Sequence, residues 1–475
     1  MVDIQQDNGE KMLIKIETLR ERLHGVVLNK GEQGHDIEGL QEDLDNLPDS
    51  YDELINFSKK LSSLKIRSDW SYVEPNSINE ILSEMDPSRP KGQIKEVDLE
   101  DSTKRVEAAF LGSLCGCMLG KPLEAQFTGH EIRKALEEIG EWPMSEYISK
   151  EIEDVLPRTH RSFHETAREY IKYVAPDDDI NYTIMGMLIL EKFGPDFTHE
   201  NMKELWIHHL PINTTFGPEN TKLIKSGIDL KIDGMHRSTF LEKGGIGPRE
   251  IIPTDDPEDF IDIFNDTLNP GDELCGAAIR ADAYGYAFPG NPAMASELAW
   301  RDASFTHNRT GIYGTMFIAA AISCAQIMDD RTEIIEMALK FVPQKSRFFE
   351  RVSVCFSDVK NSNTWEEAYE KISDKYSEYG HCRIYQEIGM LINTLIFAKN
   401  VGHGICIQVS QGADTDSFGA TSGSLLGAYF GPGFLDETWI KPFNDDIRTG
   451  LAWFFERSVS KLAKRMAKLP KIVRI

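Results

Sequence analysis

The sequence predicts an all-α fold, with a compact multi-helix domain that follows an acidic and helical N-terminal extension. The first observation is that apolar residues after Asp101 recur at the three- and four-residue spacing of a helix face. The second is that glycines recur at four-residue spacing in two separate stripes. The third is that the only strand-like alternation is the short set Ile405, Ile407 and Val409, which a helix end explains equally well.

Composition limits both the domain organisation and the partners. The chain has 475 residues and a formal charge of −25, which argues against a nucleic-acid groove or an anionic membrane surface as the main partner. Residues 1–100 carry 22 acidic and 12 basic side chains, and residues 31–58 carry nine acidic side chains and no Lys or Arg. We therefore expect an acidic extension over residues 1–100 and a main domain over residues 101–475.

The chain carries no pattern that we interpret as a membrane span or a secretory signal. Thr310–Met328 and Ser417–Leu435 lack charged side chains, but each contains polar residues and lacks flanking basic clusters, so both are expected to be buried core helices. Met1–Lys30 has no apolar signal core. Seven cysteines without a Cys-x-x-Cys pair indicate buried free thiols. The expected state is a cytoplasmic monomer.

The two glycine stripes predict a close helix–helix contact. A helix is expected to begin at Asp101, Ser102 or Thr103 and to carry the first stripe. Each glycine inside a helix costs about 1 kcal/mol relative to alanine, so close packing against another helix must offset that cost. The stripes are Gly112, Gly116 and Gly120, then Gly419, Gly423, Gly427 and Gly431. Further helices are expected at Ile180–Phe193, Met202–Leu210, Pro292–Phe305, Tyr313–Met328, Thr332–Phe341, Trp365–Tyr376 and Tyr385–Lys399.

Two acidic clusters stand at predicted helix starts. The first is Asp177, Asp178 and Asp179, and the second is Asp414 with Asp416. Acidic residues at a helix N-terminus are favoured by the helix dipole by about 0.3–1 kcal/mol each, so capping alone can explain either cluster. Adjacent carboxylates beside a core nevertheless repel one another, and hard divalent cations bound by carboxylate and hydroxyl oxygens relieve that repulsion. Together the clusters could hold a pair of metal ions.

Four segments, in order over most of residues 103–435, resemble the ADP-ribosylglycohydrolase family. The first is the glycine-rich helix that leads to Glu124, and the second is the cluster that opens at Asp177. The third is the small-residue run from Gly276 to Arg280, followed by His307. The fourth is the run from Gly412 through Asp414, Asp416 and Ser417 into the second glycine stripe. Lys121, Asp177 and Cys275 depart from the family's common residues, which marks a divergent branch.

The resemblance implies an all-α hydrolase with two Mg²⁺ ions, or Mn²⁺ in their place, that cleaves the glycosidic bond of ADP-ribosylated substrates. It implies Glu124, Asp179 and Asp414 as catalytic residues. The metal ligands it implies are Asp177, Asp178, Asp179, Asp414, Asp416 and Ser417. The ADP-ribose contacts it implies are Gly276, Ala277, Ala278, Arg280 and His307.

Two alternatives stay open at this point. One is a glycosidase of the same fold that acts on another ribosyl or nucleoside substrate. The other is a non-catalytic relative that binds ADP-ribose or metal. Both acidic clusters and Glu124 are present, and a scaffold has no reason to keep such costly groupings of like charge, so the sequence favours an enzyme.

Overall fold

The computed structural model describes residues 15–124, 126–223 and 269–473, and it is built from helices. Within these ranges no β-strand is present, and the only extended pairings are isolated bridges such as that between Thr128 and Gly412. The predicted all-α fold is confirmed. The helices are α1 (Ile16–Glu32), α2 (Leu40–Asp45), α3 (Tyr51–Ser62), α4 (Ile78–Glu84), α5 (Leu99–Gly120), α6 (Gly129–Glu138), α7 (Phe163–Thr166), α8 (Asp178–Phe193), α9 (His199–His209), α10 (Asp282–Ala287), α11 (Pro292–Ala303), α12 (Arg309–Ala325), α13 (Arg331–Leu339), α14 (Arg347–Lys360), α15 (Trp365–Lys375), α16 (Ile384–Phe397), α17 (Val401–Ser410), α18 (Thr415–Phe430), α19 (Glu437–Ile440), α20 (Val459–Met466) and α21 (Leu469–Ile472).

The chain divides into two compact units. The smaller unit contains residues 15–71, 216–223 and 269–272 among the described residues. Its helices α1, α2 and α3 enclose a cluster of buried Leu, Val and Phe side chains that includes Leu23 and Leu54. In the same unit, the Asp272 carboxylate accepts hydrogen bonds from Asn29 and Gln33. The division into domains at residue 100 stays a prediction.

The larger unit contains residues 72–215 and 273–475, and α5 with α18 forms its centre. The two glycine stripes face each other along this pair. A Cβ atom on Gly116 would lie 1.9 Å from the Gly419 carbonyl oxygen, and one on Gly423 would lie 2.0 Å from the Gly112 oxygen. The backbones therefore touch, and the predicted close helix–helix contact is confirmed. The order of these contacts shows that the helices run antiparallel.

The structure corrects two local expectations and decides an alternative that the sequence left open. Helix α5 begins at Leu99, because the Asp98 side chain caps it by accepting from the backbone N–H groups of Glu100 and Asp101. Ile405, Ile407 and Val409 lie in helix α17 rather than in a strand, since the segment is buried and its apolar residues pack on more than one face. Gly431 does not extend the second stripe, because it terminates α18 with a positive φ of 74°.

The uncharged stretches lie in the core. Every residue of Thr310–Ala325 is buried, as is nearly every residue of Thr415–Ala428. By length and composition, the segment Leu99–Leu123 could cross a membrane, but 89% of its apolar window is buried inside the protein. Packing against α18 accounts for its apolar composition. All seven cysteines are free, and all but Cys382 are buried, as expected.

Candidate active site

The end of α5 and the start of α18 bring the two acidic clusters together. A Cβ atom on Gly120 would lie 2.0 Å from the Thr415 carbonyl oxygen, and the Thr415 hydroxyl donates to the Gly120 oxygen at 2.8 Å. The chain leaves α5 through a short 3₁₀ helix, Lys121–Leu123, and reaches Glu124 beside Asp416. The glycine contact therefore places the Glu124 segment against the Asp414 segment.

Lys121 lies at the centre of the acidic cluster. Its ammonium group donates to the Asp177 carboxylate, and its Nζ lies 3.3 Å from Asp416 Oδ2 and 3.5 Å from Glu124 Oε2. Only 6% of the residue is exposed. Burial opposes its charge, but the surrounding carboxylates, Asp177 first, hold the pKa of Lys121 well above its usual value. Lys121 is therefore a permanent cation in the site.

The members of the first acidic cluster make different contacts. Asp177 caps α8, because its Oδ1 accepts from the Asp179 backbone N–H at 3.0 Å. Asp179 is buried, and its Oδ1 has no hydrogen-bond partner in the described part of the chain. Burial, followed by the charges of Asp177 and Asp416, raises the pKa of both Asp178 and Asp179 well above the usual range of a carboxyl. A nearby cation would stabilise their ionised forms.

Asp414 is held by two thiols. Its Oδ2 accepts from Cys275 Sγ at 3.1 Å and from Cys382 Sγ at 3.2 Å, and its backbone N–H donates to Glu387 Oε1 at 3.2 Å. Burial, with the charge of Asp416 next, raises the pKa of Asp414 to about 7. The contact with Glu387 is made by the Asp414 backbone. The other Glu387 oxygen, Oε2, is buried without a hydrogen-bond partner among the described atoms.

Asp416 differs from Asp178 and Asp414 in the direction of its pKa shift. Burial opposes its charge, but the Lys121 ammonium and hydrogen bonds hold the pKa of Asp416 below its usual value. Its Oδ1 accepts from the Ser417 backbone N–H at 2.9 Å, and the Ser417 hydroxyl is hydrogen bonded to Asp414. Backbone and side-chain groups at the start of α18 therefore hold the carboxylates of the second cluster in place.

Glu124 contrasts with Asp416, to which it is hydrogen bonded. Partial burial, followed by the negative charge of Asp416, raises the pKa of Glu124 well above the usual range of a carboxyl. His160 Nε2 lies 3.4 Å from Glu124 Oε2. The pKa values of these two adjacent carboxyl groups are therefore shifted in opposite directions.

A cavity of about 290 Å³ borders the Asp414 loop. Tyr369, Tyr376 and Tyr379 line it together with His381 and Ala413. Its volume lies at the lower end of the range for small-molecule sites, about 300 to 1,000 Å³. The cavity is therefore large enough for an aromatic base.

A sequence model of the ADP-ribosylglycohydrolase family matches residues 98–470. The chain belongs to the ADP-ribosylglycohydrolase family. Members of this family are metal-dependent glycohydrolases that act on ADP-ribosylated substrates. A comparison with the curated proteins gives no match. A solved structure described as an ADP-ribosylglycohydrolase-related protein complex is 16% identical, with a TM-score of 0.43, and the match covers 79% of this chain and 99% of that one.

The structure gathers most of the residues that the family resemblance implies. Glu124 and both acidic clusters meet around Lys121, and the 3₁₀ helix Cys275–Arg280 reaches the site through the thiol of Cys275. That segment carries Gly276, Ala277 and Ala278. Their assignment to a diphosphate and the assignment of the acidic residues to a metal stay predictions.

Arg280 and His307 lie in a buried network rather than on an open surface. Arg280 pairs with the Asp302 carboxylate and donates to the Thr306 hydroxyl at 2.7 Å. His307 Nδ1 lies 2.8 Å from the same hydroxyl, and burial, with the charge of Arg280 next, lowers its pKa well below the usual value. These contacts support a structural role, and the assignment of the two side chains to ADP-ribose stays a prediction.

Sequence reasoning missed the polar neighbours of Asp414. Cys382 and Glu387 are far from the acidic motifs in the chain, and no local pattern marks them. Cys275 was visible only as a departure from the family's common residues. The central position of Lys121 was also missed, although a lysine directly after a stripe of buried glycines was the available signal.

The donor atoms fit a divalent cation. Two groups of potential ligand atoms, each within 4.8 Å of one another, are present in the described ranges. These groups are Cys117 with Asp177 and Asp179, and Cys275 with Cys382 and Asp414. A hard cation would compensate the buried Asp179 Oδ1, which has no hydrogen-bond partner among the described residues, since a buried carboxylate needs a compensating charge.

Proposed function

We propose that this protein is a Mg²⁺-dependent hydrolase that cleaves the glycosidic bond between ADP-ribose and a protein, nucleic acid or small molecule. The observation that carries the proposal is the convergence of Glu124 with Asp177–Asp179 and Asp414–Asp416 around one buried site. The match of residues 98–470 to the ADP-ribosylglycohydrolase family supports this proposal. The carrier of the ADP-ribose is left open by these residues.

Asp178, Asp179, Asp414 and the Ser417 hydroxyl would hold the metal. When bound, Mg²⁺ supplies Lewis acidity and a template for the ribose hydroxyls and the attacking water. The raised pKa values of Asp178, Asp179 and Asp414 support this assignment, because burial without a cation favours their neutral forms. Mn²⁺ has the same preference for oxygen ligands and is a suitable probe.

Glu124 would protonate the leaving group. Its raised pKa keeps the carboxyl protonated at neutral pH, which is the state that a general acid requires. Asp416 stays ionised beside Lys121, so the two carboxyls are in different protonation states at the same pH.

The tyrosine-lined cavity beside Ala413 would receive the adenine. Aromatic side chains bind planar bases by stacking, and base stacking on an aromatic ring is worth about 1–3 kcal/mol. Backbone N–H groups near Gly276 would face the diphosphate, because small residues allow a phosphate to approach the backbone closely. Both groups of residues flank Asp414, which is contacted by Cys275 and follows Ala413.

We expect Asp414→Asn to weaken Mn²⁺ binding by about 10-fold or more, since metal affinity falls by about 10–100-fold even when only a group that supports a ligand is lost. The substitution keeps the shape of the side chain and removes its charge. Calorimetric titration of Mn²⁺, then of ADP-ribose with Mg²⁺ or with EDTA, measures the effect. The wild type is expected to bind ADP-ribose in Mg²⁺ and to lose that binding in EDTA.

Asp374→Asn is the matched control, because Asp374 is an exposed carboxylate on α15. This variant is expected to bind metal and ADP-ribose as the wild type does. Binding of ADP-ribose that is equally tight in Mg²⁺ and in EDTA would contradict the metal assignment. Mn²⁺ binding without ADP-ribose binding would point to a different ribosyl substrate.

A further inference from the structure

Lys121 is an unusual residue for the interior of an acidic site. Lysine is among the side chains that are least often fully buried, because removing its charge from water is costly unless a partner compensates. Here the ammonium lies among three acidic side chains, those of Asp177, Asp416 and Glu124. They come from separate segments of the chain, so Lys121 connects these segments through its ion pairs.

Both carboxylate oxygens of Asp177 and of Asp416 already accept hydrogen bonds. The Lys121 ammonium donates to one oxygen of each carboxylate. The other oxygen of Asp177 accepts from the Asp179 backbone N–H, and the other oxygen of Asp416 accepts from the Ser417 backbone N–H. A metal ion that bound either carboxylate would lie close to the Lys121 ammonium, and the repulsion between the two positive charges opposes its binding there.

The oxygen that lacks such a donor lies on the neighbouring Asp179. Its Oδ1 is buried and has no hydrogen-bond partner in the described ranges. The Asp414 Oδ2 accepts from two thiols, which are weak donors, and the Ser417 hydroxyl is also hydrogen bonded to Asp414. One part of the site is therefore neutralised by the protein itself, and another part retains carboxylate oxygens that need a cation.

The position of Lys121 is fixed by the backbone. The residue directly follows Gly120, which packs against the Thr415 carbonyl, and it precedes Pro122 in a 3₁₀ helix. The ammonium itself is held by its ion pairs with Asp177 and Asp416.

We propose that Lys121 is a built-in cation that replaces one of the two metal ions expected for the family, so that this chain binds one divalent cation. The remaining ion would be held by carboxylate oxygens that Lys121 does not reach, above all the buried Asp179 Oδ1. This inference rests on the proposed function for the location of the metal. Its test counts metal ions in the absence of substrate, so the count and the hydrolytic activity can fail separately.

The test is a titration of the metal-free protein with Mn²⁺, followed by calorimetry and by electron paramagnetic resonance. The wild type is expected to bind one equivalent and to give the spectrum of an isolated Mn²⁺ ion. Lys121→Met removes the ammonium, keeps much of the side-chain volume and frees the oxygens of Asp177 and Asp416. This variant is expected to bind two equivalents, and ions about 3.5–4 Å apart, as in two-metal sites, give an exchange-coupled spectrum.

Lys192→Met is the matched control, since Lys192 is half-exposed on α8 and pairs with Glu204 at the surface. It is expected to bind one equivalent. The proposal is overturned if the wild type binds two equivalents with a coupled spectrum or binds none, or if folded Lys121→Met still binds one. Should Lys121→Met fail to fold, Lys121→Gln provides the same comparison, and the wild-type count and spectrum decide alone if both variants unfold.

Discussion

Glu124→Gln is expected to lower kcat for hydrolysis by about 10²–10⁴-fold, which is the usual contribution of a positioned general acid. The amide has nearly the same shape as the protonated carboxyl, but it cannot transfer a proton to the leaving group. The hydrogen bond to Asp416 can be kept by the amide N–H. KM is therefore expected to change much less than kcat.

The leaving group provides a sharper test of this role. An ADP-ribosyl conjugate of 4-nitrophenol needs little protonation of its leaving oxygen, so Glu124→Gln is expected to lose much less activity on it than on an alkyl conjugate. Glu137→Gln, at the surface of α6 beside Arg133, is the matched control and is expected to leave both rates unchanged. Equal losses on the two conjugates would show that Glu124 positions the substrate and is not the proton donor.

Gly116→Ala is expected to destabilise the larger unit by about 4 kcal/mol or more, beyond the usual effect of a single substitution. The new Cβ would lie 1.9 Å from the Gly419 carbonyl oxygen and 2.4 Å from its carbonyl carbon. Backbone atoms cannot rotate away as a side chain can, so α5 and α18 must move apart. That movement also separates Glu124 from Asp414 and so reduces activity in any folded fraction.

Thermal and urea unfolding followed by circular dichroism measure this effect. Gly92→Ala is the matched control, because nothing lies within 4 Å of a Cβ atom at that position. It is expected to change the free energy of unfolding by about 0.5 kcal/mol or less, as surface substitutions usually do. A Gly116→Ala protein as stable as Gly92→Ala would contradict the direct backbone contact between the two helices.

The fold was readable from the sequence because its signals are local or periodic. The glycine stripes predicted a close helix pair, and the structure pairs Gly116 with Gly419 and Gly112 with Gly423. The helix starts were less certain, since several polar residues precede α5 and only the structure shows that Asp98 is the cap. The short alternation at Ile405–Val409 could not be assigned because a buried helix can show the same pattern.

The site was predictable where its residues form motifs and was missed where they meet only in three dimensions. Asp177–Asp179 and Asp414–Asp416 stand out as clusters at helix starts, and Glu124 follows a glycine stripe. Cys382 and Glu387 reach Asp414 from other segments, so no spacing in the chain reveals them. The ion pairs of Lys121 likewise join acidic side chains from separate segments, so the sequence does not reveal them.

The central claim is that this site hydrolyses an ADP-ribosyl glycosidic bond with the help of a metal ion. Its most direct test is the release of free ADP-ribose from serine-, arginine- and nucleotide-linked conjugates, measured by chromatography and mass spectrometry. We expect release from at least one linkage in Mg²⁺, loss of that release in EDTA, and recovery when Mg²⁺ is restored. Folded protein that releases no ADP-ribose from any linkage, or releases it equally well in EDTA, would contradict the account.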